Sequence, residues 1–78
     1  MISSSQLKAA RDLLGWTAKD LSVRSEVGLA TIRRYELQPG VINSNKAVLA
    51  SLISALNQAG IEFLGDPEVN PGVMLRIK

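Results

Sequence analysis

The stretch TAKDLSVRSEVGLATIRRYE, from Thr17 to Glu36, spaces its apolar residues as two short helices joined by a tight turn require. Leu21, Val27 and Ile32 supply the contacts between the helices, Ser22 is the small residue where they touch, and Tyr35 closes the far end. A pair of this kind needs only three or four residues between its helices. An ordinary helical hairpin has the same requirements. What distinguishes this stretch is that the second helix also carries two adjacent arginines, Arg33 and Arg34, which the packing leaves free.

Three consecutive segments open with the same local device. Ser3 with Gln6 has the spacing of a capping box, and Ile2 with Leu7 that of an apolar staple across the helix start. Thr17 with Asp20 is a close variant with Trp16 and Leu21 as its staple, and Val27 and Ile32 flank Gly28 in the same way. Helices are therefore expected to begin near residues 4, 18 and 29. The first puts Leu7, Ala10, Leu13 and Leu14 on one face and stops at Gly15. Leu37 to Asn43, with its Pro39-Gly40 turn signal, is expected to be a loop. A fourth helix follows, lined by Val48, Leu49, Leu52, Ile53 and Leu56, capped by Asn43 or Ser44 and ended by Gly60.

Beyond Gly60 the apolar period changes to two. Ile61 and Phe63 alternate with Glu62, and Val73, Leu75 and Ile77 alternate with Met74, Arg76 and Lys78, the pattern of half-buried strands. Asp66-Pro67 and Asn70-Pro71-Gly72 punctuate the connection. A lone two-stranded ribbon is marginal in water, so its apolar face must cover the helices or meet another copy of itself. The expected organisation is a helical domain over residues 1–60 and a C-terminal β-ribbon over residues 61–78.

A chain of 78 residues buries a modest share of its surface, and stability then depends on regular helices or a partner. With no cysteine and no histidine, disulfides, thiolate metal sites and the commonest general base are absent, and no metal or cofactor is expected. The carboxylates, Asp12, Asp20, Glu26, Glu36, Glu62, Asp66 and Glu68, are scattered without a nucleophile and base at any motif spacing, so an enzyme is not expected. Ala47 to Ile61 has no charge before Glu62 but includes Asn57 and Gln58, and it falls short of the roughly 20 apolar residues a membrane span needs. Nor does the N-terminus carry a basic region followed by an apolar run. A soluble cytoplasmic protein is the expectation. Net charge is +2, and it is unevenly spread: residues 1–46 hold seven cations against four anions, whereas residues 47–78 hold two against three. An excess this small suits a solvated mixed surface as well as a nucleic-acid partner.

The run LSVRSEVGLATIRRYE, from Leu21 to Glu36, resembles the central motif of the lambda-repressor and Cro-like (XRE) DNA-binding domains, in which a Leu-small pair, a Val, a Thr-Ile and a terminal Glu recur at these intervals. The resemblance extends less specifically over residues 3–57. It implies a mainly α fold, a lambda-repressor-like helix-turn-helix bundle of about four helices, here with a C-terminal two-stranded β-ribbon. It further implies that Arg11 of the first helix pairs with Glu36. Three positions depart from the family pattern. Glu26 stands where the turn commonly has Gly, Gly28 replaces the usual Ser or Thr cap, and Ala18 replaces a Gln that touches phosphate.

Carried over by position, the residues facing the DNA groove are Gly28, Leu29, Ala30, Thr31, Arg33 and Arg34. Leu29 and Ala30 suit thymine methyl groups, and Arg34 suits a bidentate pair with guanine. Thr31 and Arg33 reach a base edge or phosphate, or Arg33 is simply solvated. Lys19, Ser44, Asn45 and Lys46 sit where the family commonly holds phosphates, each with a cap or solvated role as its alternative. The implied function is a sequence-specific, double-stranded-DNA-binding transcription regulator. Repression from a palindromic operator is the simplest mechanism, with a homodimer placing paired recognition helices about 34 Å apart. The segments IEFLGD and GVMLRIK resemble tails appended to some small bacterial regulators and are the candidate dimerisation element, the alternative being an intrachain cover over the fourth helix. The rival function is the antitoxin of a toxin–antitoxin pair, which binds a protein partner as well as operator DNA.

Overall fold

A computed structural model describes residues 1–77; Lys78 and its expected place in the ribbon lie outside the described residues. Four helices, α1 (Ser4–Leu13), α2 (Ala18–Ser25), α3 (Leu29–Leu37) and α4 (Lys46–Gln58), precede a two-stranded antiparallel sheet of β1 (Ile61–Leu64) and β2 (Gly72–Leu75). The first three helix starts fall where the local signals put them. At Ser3 and at Thr17 both arms of the capping box are made. Gly28 caps α3 with no side-chain bond.

At α2 the carboxylate of Asp20 accepts from the Thr17 N–H at 2.9 Å, and the Thr17 hydroxyl accepts from the Asp20 N–H at 3.0 Å. The bond from the Thr17 backbone, then that to its side chain, hold the Asp20 carboxyl below its ordinary value against a small opposing effect of desolvation. Because the folded value is depressed, the contribution of this group to stability is complete above the unfolded value and is lost as pH falls through the folded one. Asp20→Asn is therefore expected to lower the melting temperature near neutrality. The gap from wild type should close as circular-dichroism melts are taken from about pH 5 to about pH 2.

Two helix details differ from expectation. The cap of α4 is Asn45, whose Oδ1 accepts from the Ala47 and Val48 N–H groups, so the helix starts later than Asn43 or Ser44 would begin it. Leu13, expected on the inner face of α1, is 48% exposed. At about 100° per residue, Leu7, Ala10 and Leu14 share a face and Leu13 points well away from it.

The core gathers Leu7 and Ala10 of α1, Leu21 of α2, Ile32 and Tyr35 of α3, and Leu49, Leu52 and Leu56 of α4, closed by Ile2, Val27, Ile42 and Ile61. Each large side chain buried here stabilises the fold by roughly 1.5–3 kcal/mol before conformational entropy is subtracted. The loop after α3 is less free than its composition suggests. Its Gly40 carbonyl accepts from the Ser4 N–H at 2.9 Å, and the Ile42 N–H donates to the Ile2 carbonyl at 3.0 Å, which sinks Ile42 into the core.

The ribbon pairs Ile61 with Leu75 and Leu64 with Gly72. Its inner face, Ile61, Phe63, Val73 and Leu75, packs on the helical core, with β2 against α1 and β1 against α4. Ile77 continues the alternation but is 89% exposed; the ladder ends when Arg76 N–H donates to the Gly60 carbonyl at 2.8 Å, leaving no strand opposite Ile77. The connection folds on itself at Asp66 and Asn70, whose backbone and side-chain groups bond reciprocally. Gly65 there has φ +73°, and a Cβ on it would run into the Asn70 carbonyl oxygen.

Gln6 locks the ribbon to α1. While its Oε1 accepts from the Ser3 N–H at 2.8 Å, its Nε2 donates to the carbonyls of Leu64 and Gly72 at 3.2 and 3.0 Å. The variant Gln6→Glu keeps the acceptor of the capping box and removes the donor, turning an oxygen toward two carbonyls. It is expected to lose about 1–2 kcal/mol of stability, measured by urea unfolding. Unchanged stability would mean that the ribbon does not depend on Gln6.

Candidate nucleic-acid interface

Between α2 and α3 lie only Glu26, Val27 and Gly28. This turn is fixed from α2. The Ser22 hydroxyl donates to the Val27 carbonyl at 2.6 Å, and the buried Ser25 hydroxyl donates to the Leu21 carbonyl at 2.6 Å while accepting from the Val27 N–H at 3.3 Å. Ser22 was legible as the small residue at the crossing; the second serine was not. Reversal of the chain is achieved at Glu26, with φ 61° and ψ 22°, in the left-handed region. This is the one non-glycine residue with positive φ among the described residues.

Helix α3 buries Ile32 and Tyr35 and half-buries Leu29, Thr31 and Glu36. Ala30, Arg33, Arg34 and Leu37 are exposed, and their spacing of i, i+3, i+4 and i+7 gathers them in one outward stripe. Arg33 and Arg34 diverge by about 100° along the helix, yet both flank the line from Ala30 to Leu37. Leu37, expected in the loop, is the last residue of α3 and is 84% exposed. The Arg34 guanidinium lies 5.6 Å from the centroid of the neighbouring Tyr35 ring, which limits its wandering without neutralising it.

Among the remaining predicted residues, Gly28 is exposed at the start of α3, Lys19 is exposed in the first turn of α2, and Lys46 is exposed at the start of α4. Asn45 caps α4, and the half-buried Ser44 donates to the Asn45 carbonyl at 3.4 Å. An open cleft of about 310 Å³ runs between the α2–α3 turn with the start of α3 and the first turns of α4, lined by Glu26, Val27, Gly28, Thr31, Ala47, Val48 and Ser51. Lys19, Arg33, Arg34 and Lys46 pair with no carboxylate among the described residues. A cation not singled out in the sequence, Arg24, stacks over Trp16 with 4.8 Å between guanidinium and ring centroid, a contact that joins positions eight apart and has no local signature.

Behind this surface, Arg11 forks onto Glu36. Its Nε and Nη2 donate to the two carboxylate oxygens, each at 2.9 Å, and Nη1 donates to the Trp16 carbonyl at 2.9 Å. The Glu36 hydrogen bond raises the Arg11 pKa above the ordinary arginine value, with burial opposing it. Glu36 is thereby committed to holding α3 against α1, which leaves the outward stripe without a carboxylate of its own.

Comparison with models of known protein families gives no match, and no curated protein is significantly similar to the chain. No helix among the described residues is long and apolar enough to cross a membrane, and no cluster of potential metal ligands occurs among them.

Proposed function

We propose that this chain is a sequence-specific, double-stranded-DNA-binding transcription regulator of the lambda-repressor-like helix-turn-helix type, acting as a repressor on a palindromic operator. The observation that carries the reading is the outward stripe of α3. A helix with a buried back displays small and apolar residues beside two unpaired arginines, the mixture that reads methyl groups and guanine edges in a major groove. Lys19 and Lys46, at the starts of α2 and α4, are suited to the flanking phosphates, whose contacts fix register without reading sequence.

The homodimer belongs to the same proposal. With the inner ribbon face already packed on α1 and α4, the surface left for a second copy is the outer face, where Leu64 and Met74 lie beside the Glu62–Arg76 ion pair, together with the outer strand edges. The same surface suits the protein partner of an antitoxin. Selection of bound sites from random duplexes tests the function. Enrichment of a palindrome whose halves lie about one helical turn apart supports a dimeric reader, a single short site means a monomer, and no enrichment from low-salt selections overturns DNA reading.

A further inference from the structure

Glu26 combines a strained backbone with a free charge. A side chain with a Cβ is disfavoured in the left-handed region, and glycine would adopt φ 61° without that penalty. The residue is also an exposed carboxylate that pairs with no cation among the described residues. Glu26 is the left-handed C-cap of α2, a role that glycine fills without strain, and its side chain takes no part in the hydrogen bonds of Ser22, Ser25 and Val27 that hold the turn. What Glu26 does have is a position. It lines the cleft that contains Gly28 and Thr31 of the α3 start and, at the α4 start, Ala47, which follows Lys46 in the chain.

We propose that Glu26 restrains the affinity of this face for nucleic acid, its carboxylate opposing the phosphates that the neighbouring cations attract. The inference rests on the DNA-binding reading and concerns the strength of binding, not its existence. A fixed negative charge at the rim of a contact surface weakens attachment to any duplex, because non-specific binding is almost wholly electrostatic. The effect is strongest at low ionic strength and fades when the screening length falls below the separation of the charges. Such a residue shortens the time the protein spends on the wrong sequences, where phosphate attraction is the only hold.

The test uses the full chain, a fluorescent random-sequence duplex and anisotropy titrations in about 50 and about 200 mM salt. Two variants separate charge from backbone: Glu26→Gln removes the charge and retains the side chain, and Glu26→Gly removes both. Glu26→Gln is expected to bind about three- to tenfold more tightly than wild type at the lower salt, with the advantage shrinking at the higher. Glu26→Gly should show a similar gain in affinity and, alone of the two, a clear rise in melting temperature. Equal affinity of Glu26→Gln and wild type, or a gain confined to Glu26→Gly, overturns the proposal and assigns any effect to the turn. Failure of wild type and both variants to bind the duplex overturns instead the DNA-binding reading on which it rests.

Discussion

Replacing Arg11 with alanine is expected to lower the melting temperature by more than about 12 °C, the largest effect of any single substitution considered for this chain. Three hydrogen bonds end together: two to Glu36 and one to the Trp16 carbonyl. The two side chains of the pair are only 14% and 12% exposed, so water replaces the lost partner poorly, and the orphaned Glu36 carboxylate must be resolvated by distorting the α1–α3 contact. One-sided removal of a buried ion pair costs about 3–5 kcal/mol, and the lower end suits a pair that retains some solvent access. A domain of this length has roughly 4–12 kcal/mol in total, and each kcal/mol moves its melting temperature by about 4–8 °C. Arg11→Lys should recover only part of the loss, because an ammonium group cannot fork onto both oxygens. The double change Arg11→Met with Glu36→Leu should be far more stable than Arg11→Ala, since it leaves no charge unpaired. If the Arg11→Ala melting curve overlays that of wild type, the fork contributes nothing and α3 is held by Ile32 and Tyr35 alone.

The parts of this fold that were legible in the sequence are those whose physics is local. Ser3 with Gln6 and Thr17 with Asp20 meet their partners three residues away, so residue type and spacing suffice. The same holds for the change of period at Gly60, beyond which antiparallel strands form. Leu13 shows the limit of counting apolar residues without checking phase, because its neighbour Leu14 already filled the inner face. What had no local signature was the long-range use of polar groups. Gln6 read as half of a capping box, yet its amide nitrogen reaches residues 58 and 66 positions away. Likewise the pairing of Ile2 with Ile42 turned an uncharged, Gly-Pro-containing loop into part of the core. For the site, the helical period made the divergence of Arg33 and Arg34 legible, but which side of α3 faces outward depended on the core. Leu37 joined the stripe only because α3 continues one residue further than its pattern indicated.

Under the proposed function, Arg34→Ala is expected to weaken binding to the selected operator by roughly five- to 150-fold, the equivalent of about 1–3 kcal/mol for a bidentate guanine contact. The reasoning begins with freedom. Arg34 is exposed, unpaired among the described residues and set beside the Tyr35 ring, so its guanidinium is available and partly ordered. Pre-ordering lowers the entropy lost on contact. A residue that reads a base must also lose discrimination when truncated, whereas a residue that holds phosphate must not. Lys46→Ala supplies the contrast: it should weaken binding to all duplexes alike and flatten the dependence of affinity on salt by about one counterion. Both substitutions sit on exposed positions outside the core, so melting temperatures should change little, although Arg34 in the last turn of α3 gives up a favourable interaction with the helix dipole of about 0.3–1 kcal/mol. Titrating each variant against the operator and against single-base substitutions in it separates the two roles. A flattened preference at one base position for Arg34→Ala, with preferences intact for Lys46→Ala, assigns sequence reading to Arg34. Intact preferences in both would move base recognition elsewhere on α3, to Leu29, Ala30, Thr31 or Arg33.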